Sequence, residues 1–453
     1  MQIFLVKSEK KCNFADEMKK ILFVYIVSLN ALILCAQHRT QVLHPSVYTL
    51  RVRYMTEALE PMGFVNRPYL VLPESGVIDG SEAENTLEIS FDEMSHDVHQ
   101  YSYKVRHCNM DWTESDISSY EYVDGFTTAD IVDYEHSLNT QQTYTHYWFD
   151  FPNEDMQLQT SGNYVLQVYE DGDKENVVAE VCFSVVEPIV GIDATIRANT
   201  DIELNGRYQQ LDIDINTTAL NLRDANDVKV VVRQNGRWDN QVVIEKPTFI
   251  EPKRLRYLNQ KALIFEGGNE YRHFDIYSTY YAGYHVDRVM YNQGEYHALL
   301  NIDEVRGTKA KGAGREGTPY LTERDANGQW LINCEKTDYV DTEAEYMWVH
   351  FVLPVEQYVM DGHVFVGGEV FGNQYSAKNK MVYDTEQKCY CLYAYLKQGG
   401  YDYMYYIVGK NGATMLPLEG SHWQTENEYT IWMYYRPFGE RYDRLVGVKK
   451  ITR

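Results

Sequence analysis

Along most of this chain apolar and polar residues alternate one for one, the period of a strand with two unlike faces. In NTLEISF (85–91) the apolar set is Leu87, Ile89 and Phe91, with Thr86, Glu88 and Ser90 opposite, which predicts one face in and one face out. The same style runs through VYTLRVRY (47–54), QYSYKVRHC (100–108) and THYWFDF (145–151). Asn163–Tyr169 and Val177–Val186 then form a hairpin across Glu170-Asp171-Gly172-Asp173, with a sheet edge left open to strand addition. About seven such strands divided by turn residues point to a sandwich of immunoglobulin type. Helical periodicity is scarce throughout.

The middle of the chain repeats the pattern in QLDIDIN (210–216), DVKVVVRQN (227–235), NQVVIEK (240–246) and KALIFEG (261–267). A looser stretch containing KGAGREGTP (311–319) precedes TERDANGQWLIN (322–333), which predicts a hairpin across Asn327-Gly328. Further on come MWVHFVLP (347–354), GHVFVGGEVFGNQ (362–374), KMVYD (380–384), KCYCLYAYLKQGGYDYMYYIVG (388–409) and YTIWMYYRP (429–437). Gln398-Gly399-Gly400 is the turn joining two strands of this last group. The predicted fold class is all-β: tandem antiparallel β-sandwich, immunoglobulin-like domains after a cleaved signal peptide. Expected boundaries are a leader at 1–36, an N-terminal sandwich at 37–187, a middle β-domain at 188–340 and a C-terminal early-set immunoglobulin-like sandwich at 341–453.

The leader changes the picture most. Met18-Lys19-Lys20 is a basic opening, ILFVYIVSLNALILCA an apolar core, and Ala36 the small residue at its end. Cleavage is expected between Ala36 and Gln37, and Met18 reads as the true start. Leu34 stands where a lipoprotein site needs a small residue before Cys35, which argues against a lipid anchor. No later segment is apolar for long enough to span a bilayer, so no direct membrane insertion is expected.

Tyrosine, at 39 copies, outnumbers phenylalanine (16) and tryptophan (7) together. Rings with a polar tip suit sandwich faces, and an aromatic binding surface is the sharper alternative. Loss of five lysines and three acids with the leader takes the net charge from −24 to about −26, a surface that repels phosphate backbones, so nucleic acid is excluded as a partner. Five cysteines follow the leader: Cys108, Cys182, Cys334, Cys389 and Cys391. Their spacing forms no regular framework, and a Cys108–Cys182 bridge is left open.

Chemistry is sparse. GAGREG (312–317) matches G-x-G-x-x-G but leads through Thr318-Pro319 into a hairpin, not into a helix. His96 and His99 lack a third and fourth ligand at zinc spacing. Asp171 and Asp173 lack the later ligands of a calcium loop. No catalytic, cofactor-binding or metal residues are assigned, no cofactor is expected, and the chain reads as a non-enzyme. Glycoside-cleaving carboxylate pairs stay open among 66 acids.

YSYKVRHCNMDW (101–112), EYVDGF (121–126), DYEHSLNTQQTYTHYWFDFPN (133–153), SGNYVLQVYEDGD (161–173), FEGGNEYRHFD (265–275) and YYRPFGERYDRLVGV (434–448) together resemble the plug proteins of the type IX secretion system. The resemblance covers nearly the whole mature chain, with Tyr101–Val186 as the amino-terminal domain. It implies a periplasmic protein at the inner face of the outer membrane, which docks on the system's translocon barrel and seals it. It supplies no catalytic residues, and the contact residues are unknown. A second resemblance is confined to GHVFVGGEVFGNQ, KMVYD and LKQGGYDYMYYIVG, which are similar to glycogen-binding and starch-branching accessory modules. Their stacking tryptophan is missing here, Tyr375 following the stretch instead, so the resemblance supports the fold more than the ligand. It still motivates an alternative reading, a periplasmic or secreted carbohydrate-binding protein.

Overall fold

The computed structural model describes residues 39–55, 69–204, 206–220, 222–307, 320 and 325–453. The expected signal peptide with its Ala36/Gln37 junction, and the GAGREG stretch, lie outside the described residues. Among the described residues the fold is all-β, as the alternation predicts: packed sheets whose pairing is overwhelmingly antiparallel.

The strands form three bodies, each built on two main sheets, with a two-stranded pairing of Val123–Gly125 and Met156–Leu158 besides. In the first, one sheet runs Gln41–Val42, Val177–Val186, Gly162–Glu170, Tyr101–Cys108, Thr128–Ile131, with Tyr69–Val71 added parallel to Val177–Val186. The facing sheet runs Val47–Tyr54, Leu87–Glu93, Thr145–Phe151, Asp133–His136. Leu87, Ile89 and Phe91 are fully buried between the two, on the face the sequence assigns them. The opposite face is not open, however. Ser90 and Asp92 are buried as well, because another body packs on it.

The hairpin forms where expected. Asp171 and Gly172 take φ values of 53° and 70°, and the Asp173 N–H closes that turn on the Glu170 carbonyl at 3.0 Å, the first of two turns in the connection 171–176. It offers no free edge. Its strands are the centre of their sheet, flanked by Tyr101–Cys108 on one side and by Gln41–Val42 and Tyr69–Val71 on the other.

The middle body stacks the sheet Gly191–Arg197, Tyr208–Asn216, Arg254–Tyr257, Phe249–Glu251 on the sheet Val242–Ile244, Val228–Gln234, Glu428–Tyr435, Arg444–Thr452. Its last two strands come from the segment expected in the C-terminal sandwich. Val228 pairs with Tyr435 and Gln234 with Tyr429, and Tyr429, Ile431, Met433 and Val446 complete the core. Local alternation cannot choose a partner strand; packing of the inner face does.

The third body holds the sheet Val286–Asn292, Glu295–Leu300, Tyr346–Pro354, Cys389–Lys397, Val382–Asp384 and a second sheet around Gly399–Gly409. Gln398 is therefore a corner between sheets and not a hairpin turn, since Cys389–Lys397 and Gly399–Gly409 do not pair with each other. A Cβ on Gly399 would lie 2.2 Å from the Leu331 carbonyl oxygen and one on Gly400 2.5 Å from the Tyr277 hydroxyl. Glycine is what lets the strands cross there. Asn327 and Gly328 have the positive φ values of the expected turn, 54° and 85°. The strand after them, Trp330–Ile332, pairs with Gly399–Tyr401, and the arm before them falls outside the described residues.

Candidate functional site at the junction of the three bodies

The tyrosine excess is spent inside. Of the twelve largest fully buried side chains, eleven are tyrosines, so they are core and junction more than surface. A buried hydroxyl ordinarily needs a partner, and several of these find carboxylates or carbonyls of another element, although that of Tyr257 has none among the described residues. Tyr403 and Tyr405 donate to Asp303 at 2.8 and 2.6 Å, and Asp303 also accepts Arg272 at 2.7 Å.

Between the first and third bodies lies a buried cluster of charge. Asp92 accepts hydrogen bonds from Lys397 Nζ and the Tyr346 hydroxyl, both at 2.6 Å, and its other oxygen lies 2.6 Å from His146 Nδ1. Lys397 also reaches the Asp341 carbonyl at 2.6 Å, and Arg51 donates to the Asp341 carboxylate at 2.6 Å. Burial pushes the Asp92 carboxyl up, but Lys397 and His146 outweigh it and hold it below the usual carboxylate range. Asp341 is held low in the same way, burial being overcome by Arg51, His146 and Lys397. Burial lowers Lys397 in spite of Asp92.

Arg51 reaches this cluster because its strand is irregular. The register against Leu87–Glu93 slips between Tyr48 and Arg51, where Thr49 has a φ of 50°. This bulge keeps both Val47 and Val52 on the core face and turns Arg51 to the other. Tyr48 meets Tyr346 and Tyr395 edge-on, each at 6.1 Å. Nothing in VYTLRVRY beyond its broken alternation signals the bulge.

The first and middle bodies meet through an apolar patch, with the ion pair of Arg441 and Glu121 at its exposed rim. Met110 and Val186 pack on Val231, Tyr434 and Leu445, and Asn163 Oδ1 accepts the Tyr434 hydroxyl at 2.8 Å. The middle body passes into the third through Phe265–Asp275. A Cβ on Gly267 would stand 2.1 Å from the His422 carbonyl oxygen, so the chain can run there only as glycine.

Where all three bodies meet there is a cavity of about 730 Å³. Trp112, Trp238, Trp330, Trp348 and Trp432 line it. Trp112 and Trp238 meet edge to face at 5.2 Å over the small residues Cys108, Val165 and Cys182 of the first body. Arg233 stacks on Trp238 with its guanidinium carbon 3.5 Å from the ring centre and lies 5.1 Å from that of Trp432. Its Nε donates to Gln241 at 2.7 Å, and burial lowers its pKa to about 10. None of these tryptophans, nor Arg233, was singled out from the sequence, because their convergence is a product of tertiary packing.

Candidates raised by the sequence are dispersed. Cys108 and Cys182 are free thiols. They sit on strands separated by Gly162–Glu170, two strand spacings or about 9.6 Å apart, beyond the reach of a disulfide. Burial raises the Cys108 thiol to about 12, so it stays protonated. His96 faces His136, with ring centres 4.5 Å apart, and His99 Nδ1 lies 2.5 Å from Glu170. Asp171 and Asp173 form the hairpin tip. Tyr375 is half-buried and held in place: its ring packs on Phe365 and Tyr406 and its hydroxyl meets Asp239 at 3.3 Å. Burial and the neighbouring Asp402 push the Asp325 carboxyl up to about 8, yet both acids accept backbone N–H groups of the Asn327 turn and so hold structure.

A solved structure resembles the whole of this architecture. The crystal structure of a hypothetical protein from Parabacteroides merdae ATCC 43184, at 2.30 Å, matches with a TM-score of 0.84 and 36% identity, over 92% of this chain and 100% of that one. No curated protein matches the chain. The family description "Type 9 secretion system plug protein 1st domain" matches residues 76–187, which carry most strands of the first body. Residues 76–187 thus form the first domain of the type 9 secretion system plug protein family, and the chain's role is associated with type 9 secretion.

Proposed function

We propose that this chain is a non-enzymatic periplasmic plug that docks on the outer-membrane translocon barrel of the type IX secretion system and seals it. The observation that carries this reading is the way the bodies are joined. Buried ion pairs link the first and third, and the last hairpin links the first and middle. An obstructing body has to keep its shape under load, and such contacts resist hinge motion where solvated linkers would permit it. The described carboxylates with large shifts are tied into hydrogen bonds, which supports a body without an acid–base centre. Export with cleavage between Ala36 and Gln37 is part of the proposal, and amino-terminal sequencing of periplasmic material tests it.

Deleting the gene tests the function directly. Secretion is expected to proceed while the outer membrane becomes leaky to large antibiotics, and deleting the translocon as well is expected to abolish the leak. Unchanged permeability, together with failure to co-purify with an outer-membrane barrel, overturns the proposal. The packing of Tyr375 weighs against the carbohydrate alternative.

A further inference from the structure

Arg233 differs from the other buried arginines. Arg51, Arg237, Arg272 and Arg306 each hold a carboxylate, on Asp341, Asp239, Glu419 with Asp303, and Glu419 respectively. Arg233 is 8% exposed and has no carboxylate partner among the described residues. Its single side-chain hydrogen bond goes from Nε to the neutral Gln241. The terminal nitrogens are left without a protein acceptor, and the side chain lines the central cavity. In a chain of net charge −24 an unpaired, desolvated guanidinium is costly to keep, and its planar fork is shaped for a carboxylate.

Trp330 lines the same cavity with its ring, which stacks on Tyr401, while its indole N–H is buried away from the opening. The surrounding wall is aromatic: Trp112, Trp348, Tyr48 and Tyr395 contribute to it. The volume, about 730 Å³, lies within the range of small-ligand sites.

We infer that the junction cavity is a binding site for a carboxylate carried on an apolar or aromatic body, with the Arg233 guanidinium receiving the carboxylate and the indoles enclosing the rest. Two sources share that chemistry, a free aromatic acid and the C-terminal residue of a peptide. The site is independent of the plug reading and stands or falls without it.

The test is calorimetry on the purified full-length chain with four probes. These are 4-phenylbutyrate, its amide, the peptide acetyl-Gly-Gly-Phe with a free carboxylate, and the same peptide amidated. At least one acid is expected to bind saturably, and its amide about tenfold or more weaker, the scale of one charge-assisted hydrogen-bonded pair. Binding by phenylbutyrate alone identifies a small acid, and tighter binding by the peptide identifies a chain terminus. Arg233→Gln is expected to erase the preference for acid over amide. Equal binding of acid and amide by the unaltered protein overturns the site. So does absence of saturable binding of both acids up to about 5 mM, below which an affinity is too weak to count as recognition. Both readouts use the unaltered chain, so they hold even where a variant fails to fold.

Discussion

The first and middle bodies are built from the same kind of strand and are wired differently. Every described strand of the first falls between Gln41 and Val186, and its central hairpin pairs residues close in the chain. The middle body closes its second sheet by pairing Val228–Gln234 with Glu428–Tyr435, so that Gln234 and Tyr429, 195 positions apart, share a hydrogen bond. A body written in one stretch can fold when that stretch is made. One closed by a distant hairpin bears the entropy of a long loop and must wait for it. The same hairpin also touches the first body through Tyr434 and Leu445. It acts as a clasp, so integrity of the middle body and attachment of the first depend on the same residues.

Removing residues 427–453 gives the largest effect. Tyr429, Ile431, Met433 and Val446 are fully buried, and at roughly 1.5–3 kcal/mol for each side chain their loss approaches the whole stability of a domain. The middle body is expected to become protease-sensitive, while residues 69–187 stay resistant. Limited proteolysis with mass spectrometry reads this. Equal protection of both segments in the truncated chain would show that the hairpin is an appendage and that the contrast is unreal.

A smaller effect separates the two junctions of the first body. Its contact with the middle body is apolar at the centre, with ion pairing between the exposed side chains of Arg441 and Glu121, whereas its contact with the third buries its ions. Asp92→Ala strands Lys397, which is 1% exposed, and is expected to cost about 3–5 kcal/mol in urea unfolding. The double change Asp92→Leu with Lys397→Met is expected to cost clearly less than the two single changes added together. Simple additivity would mean that the pair is not coupled, and the ionic description of that junction would fail.

The smallest effect is on acid stability. Asp92 and Asp341 are held below the usual carboxylate range in the folded chain, against about 3.9 when unfolded. Their contribution is therefore fully present above that unfolded value and is lost as pH falls through the lower folded values. Asp341 is about a third exposed, so solvent screens part of its share. Thermal unfolding below about pH 4 is expected to fall less steeply in Asp92→Asn than in the unaltered chain. A parallel slope would remove these carboxylates from the account.

Much of the fold was legible because period-two alternation is a local property. Leu87, Ile89 and Phe91 face the core as their spacing predicts, and Asp171-Gly172 turns the chain as its backbone preference requires. The residues of the candidate site were not legible in this way. Arg51 enters the charge cluster through a bulge, and Arg233 and the five cavity tryptophans are brought together from separate segments. Their spacing along the chain carries no trace of that meeting.

The all-β class, the course of most strands, the turns at Asp171-Gly172 and Asn327-Gly328 and the family resemblance can be read from the chain alone. Which strands share a sheet was settled by packing. It put Gln398 at a corner between sheets, the central hairpin in the interior with no edge to offer, and Asp92 beneath another body. The physical reason is that an alternating strand specifies a buried face but no partner. The partner is chosen by side-chain packing between faces far apart in sequence, and the charges buried there acquire their roles only once those faces have met.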